Sequence, residues 1–331
     1  MSVQELENRY LKIGTIPFSS NTTKYIDIPR NNAIRRFNLK FYIEHVAGGS
    51  NPTEITETIL NVIKKVRLVM DGDDTKFNVD GVKLFYMEKF KKGSSPATNK
   101  DDNQAASTTK TWFVSLNIDF ASSVLDMQDI SALLPAKGFT QLKLEVDWGA
   151  PADMFSANSG TFTAANSGCD VEILEVIHTT DNDLFARGKK VAFLDFRQQV
   201  SLLSPTQVYP NLEEQALTMN VQPTPALIRS NLFIVKTSAG VYTSTQVTDF
   251  ALVDVRGSGR TLYKTNLTSW SRMTKPEQQV EEVLSGIFYF DHIDFARGGV
   301  QNVFNEGDLK YKFLVPVSGG TIEILTEYLA V

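Results

Sequence analysis

Apolar and polar positions alternate with a period of two along much of the chain. Trp112, Val114, Leu116, Ile118 and Phe120 alternate with Phe113, Ser115, Asn117 and Asp119, so one face is apolar and the other mostly polar. The same pattern sets Leu142, Leu144, Val146 and Trp148 against Gln141, Lys143, Glu145 and Asp147, and Phe37, Leu39, Phe41 and Ile43 against Arg36, Asn38, Lys40 and Tyr42. Near the C-terminus Leu309, Tyr311, Phe313 and Val315 alternate with Lys310, Lys312 and Leu314. These read as half-buried strands of antiparallel sheets. The apolar-rich run Val66 to Met70 enters Asp71-Gly72-Asp73-Asp74, a hairpin turn signal, and Thr75 to Val79 returns. Helix is scarce. Ser2 to Lys12, with Val3, Leu6 and Tyr10 near one face, predicts a short amphipathic N-terminal helix; Gly81 to Lys92 predicts another, with a counterpart around Leu267 to Lys275.

The strands recur in two sets. Ser167-Gly168-Cys169-Asp170-Val171-Glu172-Ile173-Leu174 returns as Ser318-Gly319-Gly320-Thr321-Ile322-Glu323-Ile324-Leu325, and Ile118-Asp119-Phe120-Ala121 returns as Ile293-Asp294-Phe295-Ala296. Pro29 with Ile34-Arg35 matches Pro223 with Ile228-Arg229, Gly72 matches Gly257, and Leu142-Lys143 matches Leu309-Lys310. Landmarks that keep their order mark a duplicated module. The offset shrinks from 194 residues (223 − 29) at the prolines to 151 (318 − 167) at the Ser-Gly pair, so the first copy is longer throughout. Its excess lies in Gly48 to Glu57, Gly93 to Lys110 and Gly149 to Gly168, rich in Ala, Ser, Asn, Thr and Gly. Such composition predicts surface excursions on a shared core.

Fold class follows as all-β: two tandem eight-stranded jelly rolls, each a sandwich of two sheets, with a few short helices. The expected organisation is an N-terminal arm or short helix over 1–20, a first roll with longer loops over 21–180, a packed connector over 181–211 and a second roll over 212–331. Phe193, Leu194, Phe196, Val200, Leu202 and Leu203 make that connector too apolar for a flexible tether.

Composition narrows the classes. The 331 residues are 42% hydrophobic and 21% charged, and no apolar run approaches the roughly 20 residues a membrane-spanning helix needs. No basic segment followed by an apolar one occupies 1–20, so no secretory signal is expected. A net charge of −5 argues against a chain that coats nucleic acid. The single cysteine, Cys169, rules out an internal disulfide and predicts a small loop residue or a core thiol.

Candidate chemistry is sparse. His45, His178 and His292 are far apart, and the His-x-His pair of a cupin-type metal site is missing. No Walker loop, Gly-x-Ser-x-Gly elbow or dinucleotide fingerprint occurs. The acidic Asp71 to Asp74 turn lacks the later ligands of a calcium loop, and Arg256-Gly257-Ser258-Gly259-Arg260 reads as the matching hairpin turn, with two arginines that an anionic partner could meet. Asn21-Thr22-Thr23 and Asn266-Leu267-Thr268 match the glycosylation sequon. Asp119 with Asp294, and Glu172 with Glu323, are the carboxylates a glycan hydrolase would use, but equivalent places in two copies point to a shared structural role. No catalytic residue, metal site or cofactor is expected.

Tandem rolls each opening with a strand broken by a proline and followed by Ile-Arg (Pro29 to Arg35, Pro223 to Arg229), a Gly hairpin followed by a short helix (Val66 to Lys92, Ala251 to Lys275), an aromatic strand ending in Asp-Phe, and Leu133-Leu134-Pro135 leading to the Leu142 to Trp148 strand resemble the double jelly-roll major capsid proteins of tailless icosahedral viruses, the adenovirus hexon lineage. The resemblance spans about 25 to 331 and implies a structural, non-enzymatic virion protein. It implies pseudo-hexameric homotrimers that tile an icosahedral shell of a bacterial or archaeal virus, built in the host cytoplasm. Neighbouring trimers and penton or minor capsid proteins would be its partners, with the N-terminal segment near an internal membrane and no sequence-specific nucleic-acid contact. The long first-copy loops would face outward. The competing reading is a double jelly-roll glycan-binding or glycan-hydrolysing protein with Trp112, Trp148 and Trp270 as sugar platforms. Trp112 and Trp148 fall on the apolar side of their strands, which favours the core.

Overall fold

A computed structural model of the chain describes residues 6–72, 74–120, 133–178, 193–203, 207–208, 215–220, 226–254, 260–267, 284–291, 301–302, 309–316 and 319–330. Two compact units, Met1–Leu194 and Asp195–Val331, divide it.

In the first unit the alternating segments pair as their periodicity predicts. The elements run β1 (Leu6–Pro17), β2 (Thr23–Asp27), β3 (Ala33–Val46), β4 (Thr53–Glu54), α1 (Thr58–Val62), β5 (Ile63–Met70), β6 (Asp74–Val79), α2 (Gly81–Lys92), β7 (Thr109–Asp119), β8 (Leu142–Trp148), α3 (Pro151–Met154), β9 (Phe155–Ala157), β10 (Thr161–Phe162) and β11 (Gly168–His178). One sheet is ordered β1-β11-β3 with β7 on the other side of β3, and the second is ordered β2-β8-β5-β6. Every pairing is antiparallel. The two sheets share an aromatic core in which Phe41 of β3 packs edge-on against Trp148 of β8 at 5.8 Å, and Phe18 meets the same indole at 5.3 Å. Asp80 caps α2, accepting from the Lys83 backbone N–H at 2.8 Å, and Gly93 closes the helix in the left-handed region.

The second unit repeats the plan. Its strands are β12 (Phe193–Leu202), β13 (Gln207–Val208), β14 (Gln215–Asn220), β15 (Ala226–Lys236), β16 (Asp249–Asp254), β17 (Arg260–Asn266), β18 (Ile287–Asp291), β19 (Gln301–Asn302), β20 (Leu309–Leu314) and β21 (Thr321–Ala330). The order β12-β21-β15-β18 repeats β1-β11-β3-β7, and β14-β20-β16-β17 repeats β2-β8-β5-β6. In each unit the chain crosses between two sheets and its last strand inserts between two early ones, β11 between β1 and β3 and β21 between β12 and β15, which is the jelly-roll path. Phe233 of β15 lies 4.8 Å from Phe250 of β16 and 5.4 Å from Phe313 of β20, so this core too joins side chains of both sheets.

The repeated Ile-Arg pairs have a structural cause. Along β3, Leu174 faces Arg36 and Glu175 faces Ile34, leaving Arg35 as the extra residue of a bulge. Along β15, Glu327 faces Ser230 and Tyr328 faces Ile228, leaving Arg229 in the same role. Both arginines are buried, at 1% and 4% exposure, and each bulge lies beside a buried glutamate of the last strand, Glu175 or Glu327. Arg229 donates to Glu327 at 3.2 Å, and the Ser230 hydroxyl donates to its other oxygen at 2.6 Å. Glu175 accepts from Arg9 at 2.7 Å and Asn32 at 3.2 Å. The glycines have local causes: a Cβ on Gly168 would stand 2.9 Å from the Ile16 carbonyl, its counterpart Gly319 lies at φ 100°, and a Cβ on the adjacent Gly320 would stand 2.1 Å from the Lys236 carbonyl.

Three expectations change. Of the N-terminal helix expected over Ser2 to Lys12, the described part, Leu6 to Lys12, is instead in β1 and pairs with His178 to Glu172. Two or three turns of isolated helix are marginal in water, whereas the edge of β11 offers a full row of donors and acceptors. Pro29 and Ile34-Arg35 do not open a roll; the proline separates β2 from β3, and the pair starts the third strand. Within the expected connector 181–211, residues 193–202 form β12 on the edge of β21, with Val200 and Leu202 exposed and Leu203 in the second core. Residues 181–192, Trp270, Ile293 to Ala296, His292, Arg256 to Gly259, Asp73, Pro223, and Leu267 to Lys275 beyond Leu267 lie outside the described residues.

Two outcomes follow from these buried polar groups. Glu327→Ala strands Arg229 in the second core, so chemical denaturation should show a loss of about 3–5 kcal/mol, most of it recovered in Arg229→Met/Glu327→Leu. Tyr311, fully buried, accepts from Asn231 at 2.9 Å, and burial pushes its phenol up to about 12. The folded state therefore favours the neutral phenol: its contribution is complete below pH 10 and lost as pH rises toward about 12. Urea midpoints should fall through that window by about 3 kcal/mol in the wild type, and Tyr311→Phe should flatten the fall.

Candidate functional site

The three inserts of the first copy do not hang separately from the roll. They meet around the C-terminal end of β3 and build one cap. β4, from the first insert, pairs with β9, from the third, and β10 pairs with Val46 and His45. The second insert is tied in by Ser107 N–H to Gly48 O at 2.7 Å and Ala106 N–H to Asn51 Oδ1 at 2.7 Å, and Asn158 Nδ2 donates to Asn51 O at 2.9 Å.

His45 is the centre of the cap. It occupies the next inward position after Phe37, Leu39, Phe41 and Ile43, so the period of two carries it into the interior, and it is fully buried. Its Nδ1 lies 2.6 Å from Gln104 Oε1 in the second insert, and its Nε2 lies 2.7 Å from the Ser159 carbonyl in the third. The Gln104 amide donates to the carbonyls of His45 at 3.1 Å and Thr108 at 2.9 Å, its oxygen accepts from Trp112 Nε1 at 3.3 Å, and its backbone N–H donates to Glu54 of the first insert at 2.8 Å. Phe155 lies over the imidazole at 4.3 Å between centroids, and Lys110 Nζ lies 3.9 Å from the centroid of the Trp112 ring. Gly160, at φ 55°, passes so close that a Cβ would stand 2.5 Å from His45 Nε2. The inserts read from composition as surface excursions therefore carry a core of their own, with Gln104, Met154 and Phe155 buried. Gln104 sits in a polar run with no periodicity, so nothing local marks it as an interior residue.

A second fastening holds the same insert to the helices. Lys100 reaches Glu57 at 3.3 Å and Asp101 at 2.7 Å, and the Tyr86 hydroxyl donates to Glu57. Burial lowers the Lys100 ammonium pKa, but the bond to Asp101 and the Glu57 charge outweigh it and hold the group above its ordinary value. Glu57 adopts φ 73° to turn its carboxylate inward.

The other candidate residues, where described, sit in pairings within the fold. Asp119 is paired with Arg36 on the adjacent strand, and Glu323 accepts from Lys236 at 2.9 Å; Glu172 stands opposite Lys12 and Asn38 in the ladders. Asp71 accepts from the Thr140 hydroxyl at 2.7 Å and from the backbone N–H groups of Thr140 and Gln141 at 2.5 and 3.2 Å, which hold its carboxyl below the usual range. The Asp-Gly turn is thus tied to the approach to β8. Cys169 is the core thiol, and burial pushes its pKa well up. Trp112 and Trp148 are both in the core. Among the described residues no three His, Cys, Asp or Glu side chains gather into a metal site. An open concavity of about 420 Å³ lies over Lys40, Tyr42, Thr111, Phe113 and Asp170. Burial and then Asp170 raise the Tyr42 phenol, which keeps it neutral near pH 7.

Gln104→Ala removes the side chain that fastens the second insert to His45 and leaves His45 and Trp112 without a shared acceptor. Limited proteolysis should cut between residues 93 and 110 at least tenfold faster, with stability lowered by about 1–3 kcal/mol. Gly160→Ala should open the same cap by collision.

No family model matches the chain, and no curated protein matches it. Solved structures do. The major capsid protein of Sulfolobus turreted icosahedral virus superposes with a TM-score of 0.76 at 17% identity, over 98% of this chain and 97% of that one. The major capsid protein of bacteriophage PM2 gives a TM-score of 0.59 at 13% identity, over 98% of both chains. The PBCV-1 virus capsid gives 0.57 at 11% identity, over 100% of this chain and 96% of that one. The likeness covers both rolls in tandem, and the chain has the double jelly-roll fold of these viral major capsid proteins.

Proposed function

We propose that the chain is a structural major capsid protein that forms homotrimers of pseudo-hexagonal outline, which tile the icosahedral shell of a virus. The observation that carries this reading is the end-to-end match: the full double arrangement, over 98% of this chain and 97% of its archaeal-virus neighbour, is shared rather than a single sandwich of a common type. Three chains with two similar rolls each present six similar units around a ring, which explains physically why a duplicated module suits a hexagonal tile. Subunits of such a tile are held by large obligate interfaces, on the order of 2,000–5,000 Å².

Its role is one of geometry rather than catalysis. Of the candidate carboxylates, Asp119 and Glu323 each serve an ion pair between strands, and the aromatic residues Trp112 and Trp148 fill the core instead of forming sugar platforms. The cap around His45 is the largest elaboration of the first roll and is placed on the outer surface of the shell. Penton or minor capsid proteins and an internal membrane are the further partners. Because Leu6–Pro17 is engaged as β1, a membrane contact would fall to the residues before it. Assembly takes place in the host cytoplasm.

Light scattering on the purified chain at micromolar concentration should give the mass of three subunits, and negative-stain images should show hexagonal particles. A persistent monomer with a two-lobed outline would overturn the reading.

A further inference from the structure

Both groups that face the buried His45 ring are acceptors with no proton to give. The Gln104 amide is fixed in orientation: its oxygen accepts from the Trp112 indole N–H at 3.3 Å, and its nitrogen donates to the carbonyls of His45 and Thr108 at 3.1 and 2.9 Å. A flipped amide would set N–H against N–H and oxygen against two oxygens, so Oε1 stays toward the imidazole, 2.6 Å from Nδ1. The group 2.7 Å from Nε2 is the Ser159 backbone carbonyl. A neutral imidazole has one N–H and one lone pair. In either tautomer, one ring nitrogen therefore meets an oxygen lone pair to lone pair at hydrogen-bond distance. An imidazolium donates to both, and both separations fall at the short, charge-assisted end of N–H···O bonds.

The surroundings suit a cation. Phe155 of β9 lies over the ring at 4.3 Å between centroids and Phe162 of β10 meets it edge-on at 5.7 Å. Charges reach the cluster through its neighbours. From the first insert, Glu54 accepts from the Gln104 backbone N–H at 2.8 Å, while Glu57 is engaged by Lys100. From β7, Lys110 lies over Trp112 and is paired with Asp102 of the second insert at 3.2 Å, which offsets its repulsion. On β3 itself, Glu44 faces the other side and accepts from Asn166 at 2.9 Å. Residues 155–168 of the third insert contain no titratable side chain.

We infer that His45 makes the cap a pH-sensitive fastening: a second proton on the imidazole closes the bonds to the second and third inserts together, and its loss releases one of them. The third insert is the one that gives. Gln104 keeps its place through Trp112, Thr108, Glu54 and the His45 carbonyl, whereas the chain around Ser159 is otherwise held by the two residues of β10 and by Asn158 on Asn51. Deprotonation leaves the remaining proton on Nδ1, toward Gln104, and turns the Ser159 carbonyl away. The fastening is complete while the imidazole is charged and is lost as rising pH removes that charge. The second roll lacks the device: counting from the repeated Ile-Arg pair, the exposed Ala239 stands where His45 does.

Amide exchange of the full-length chain, read by mass spectrometry from about pH 8 to about pH 5, tests this against His45→Gln, whose side chain carries no charge in that range. Comparing the two proteins at each pH cancels the pH dependence of the exchange chemistry. Protection of peptides covering 156–161, relative to the variant, should rise at least threefold from the upper to the lower pH, while peptides of the β5–β8 ladder keep a constant ratio. Glu54→Gln keeps the acceptor for the Gln104 N–H and removes its charge, so it should shift the wild-type rise to lower pH, a comparison that needs no substitution of the histidine. With 15N-labelled histidine, the His45 ring should show protons on both nitrogens at the lower pH and on one at the upper. A ratio that is flat over the range, a rise that Glu54→Gln leaves unmoved, or a His45 ring that keeps a single proton throughout would each overturn the fastening.

Discussion

The antiparallel ladder between a long early strand and the last strand of each roll, β3 with β11 and β15 with β21, supports the rest of the fold. β3 is flanked by strands on both sides, and β11 carries β1 on its other edge, so the first sheet is assembled from this pair outward. The partners are distant in the chain, and closing so long a loop costs entropy before any contact is made. Dense packing on the inner face repays that cost: Phe37, Leu39, Phe41 and Ile43 from β3 and Val171 and Ile173 from β11 are all buried. The arginine bulge occurs within this ladder in both rolls. It twists the strand and sets a charged group inside, where the second roll answers it with Glu327. A buried pair of this kind adds little net stability over an apolar pair and is costly to break, which makes it a device for register more than for strength.

On that shared frame the two rolls diverged unevenly. The first gained three inserts that would each be a poor structure alone, being short and polar. Folded together they bury His45, Gln104, Phe155 and Met154 and satisfy the polar groups among themselves. The buried imidazole ties two inserts together, because whichever ring nitrogen carries the proton donates to the oxygen it faces, Gln104 Oε1 or the Ser159 carbonyl. In the second roll Val200 and Leu202 are exposed on β12.

Much of this was legible locally. Periodicity identified the inward faces of β3, β7, β8 and β20, placed Trp112 and Trp148 in the core, and extended one position further would have placed His45 there too. The Asp-Gly hairpin and α2 were equally plain, since a turn and a capped helix are specified by adjacent residues. The edge strands were not. Leu6 to Lys12 contains good helix formers, and only its pairing with residues of β11 makes it a strand. The role of Gln104 was also hidden, because its partners come from four separate segments.

The sequence by itself determined that the chain is a duplicated all-β module, which faces of its central strands are buried, and which copy carries the longer loops. Those properties reside in local alternation and in the order of repeated residues. Tertiary structure decided that the first strand of each roll lies at a sheet edge, that Arg35 and Arg229 are bulges inside the sheets, and that three loops form one cap. Each depends on backbone and polar groups meeting across long stretches of chain, and a hydrogen bond between distant residues leaves no periodic trace in either partner.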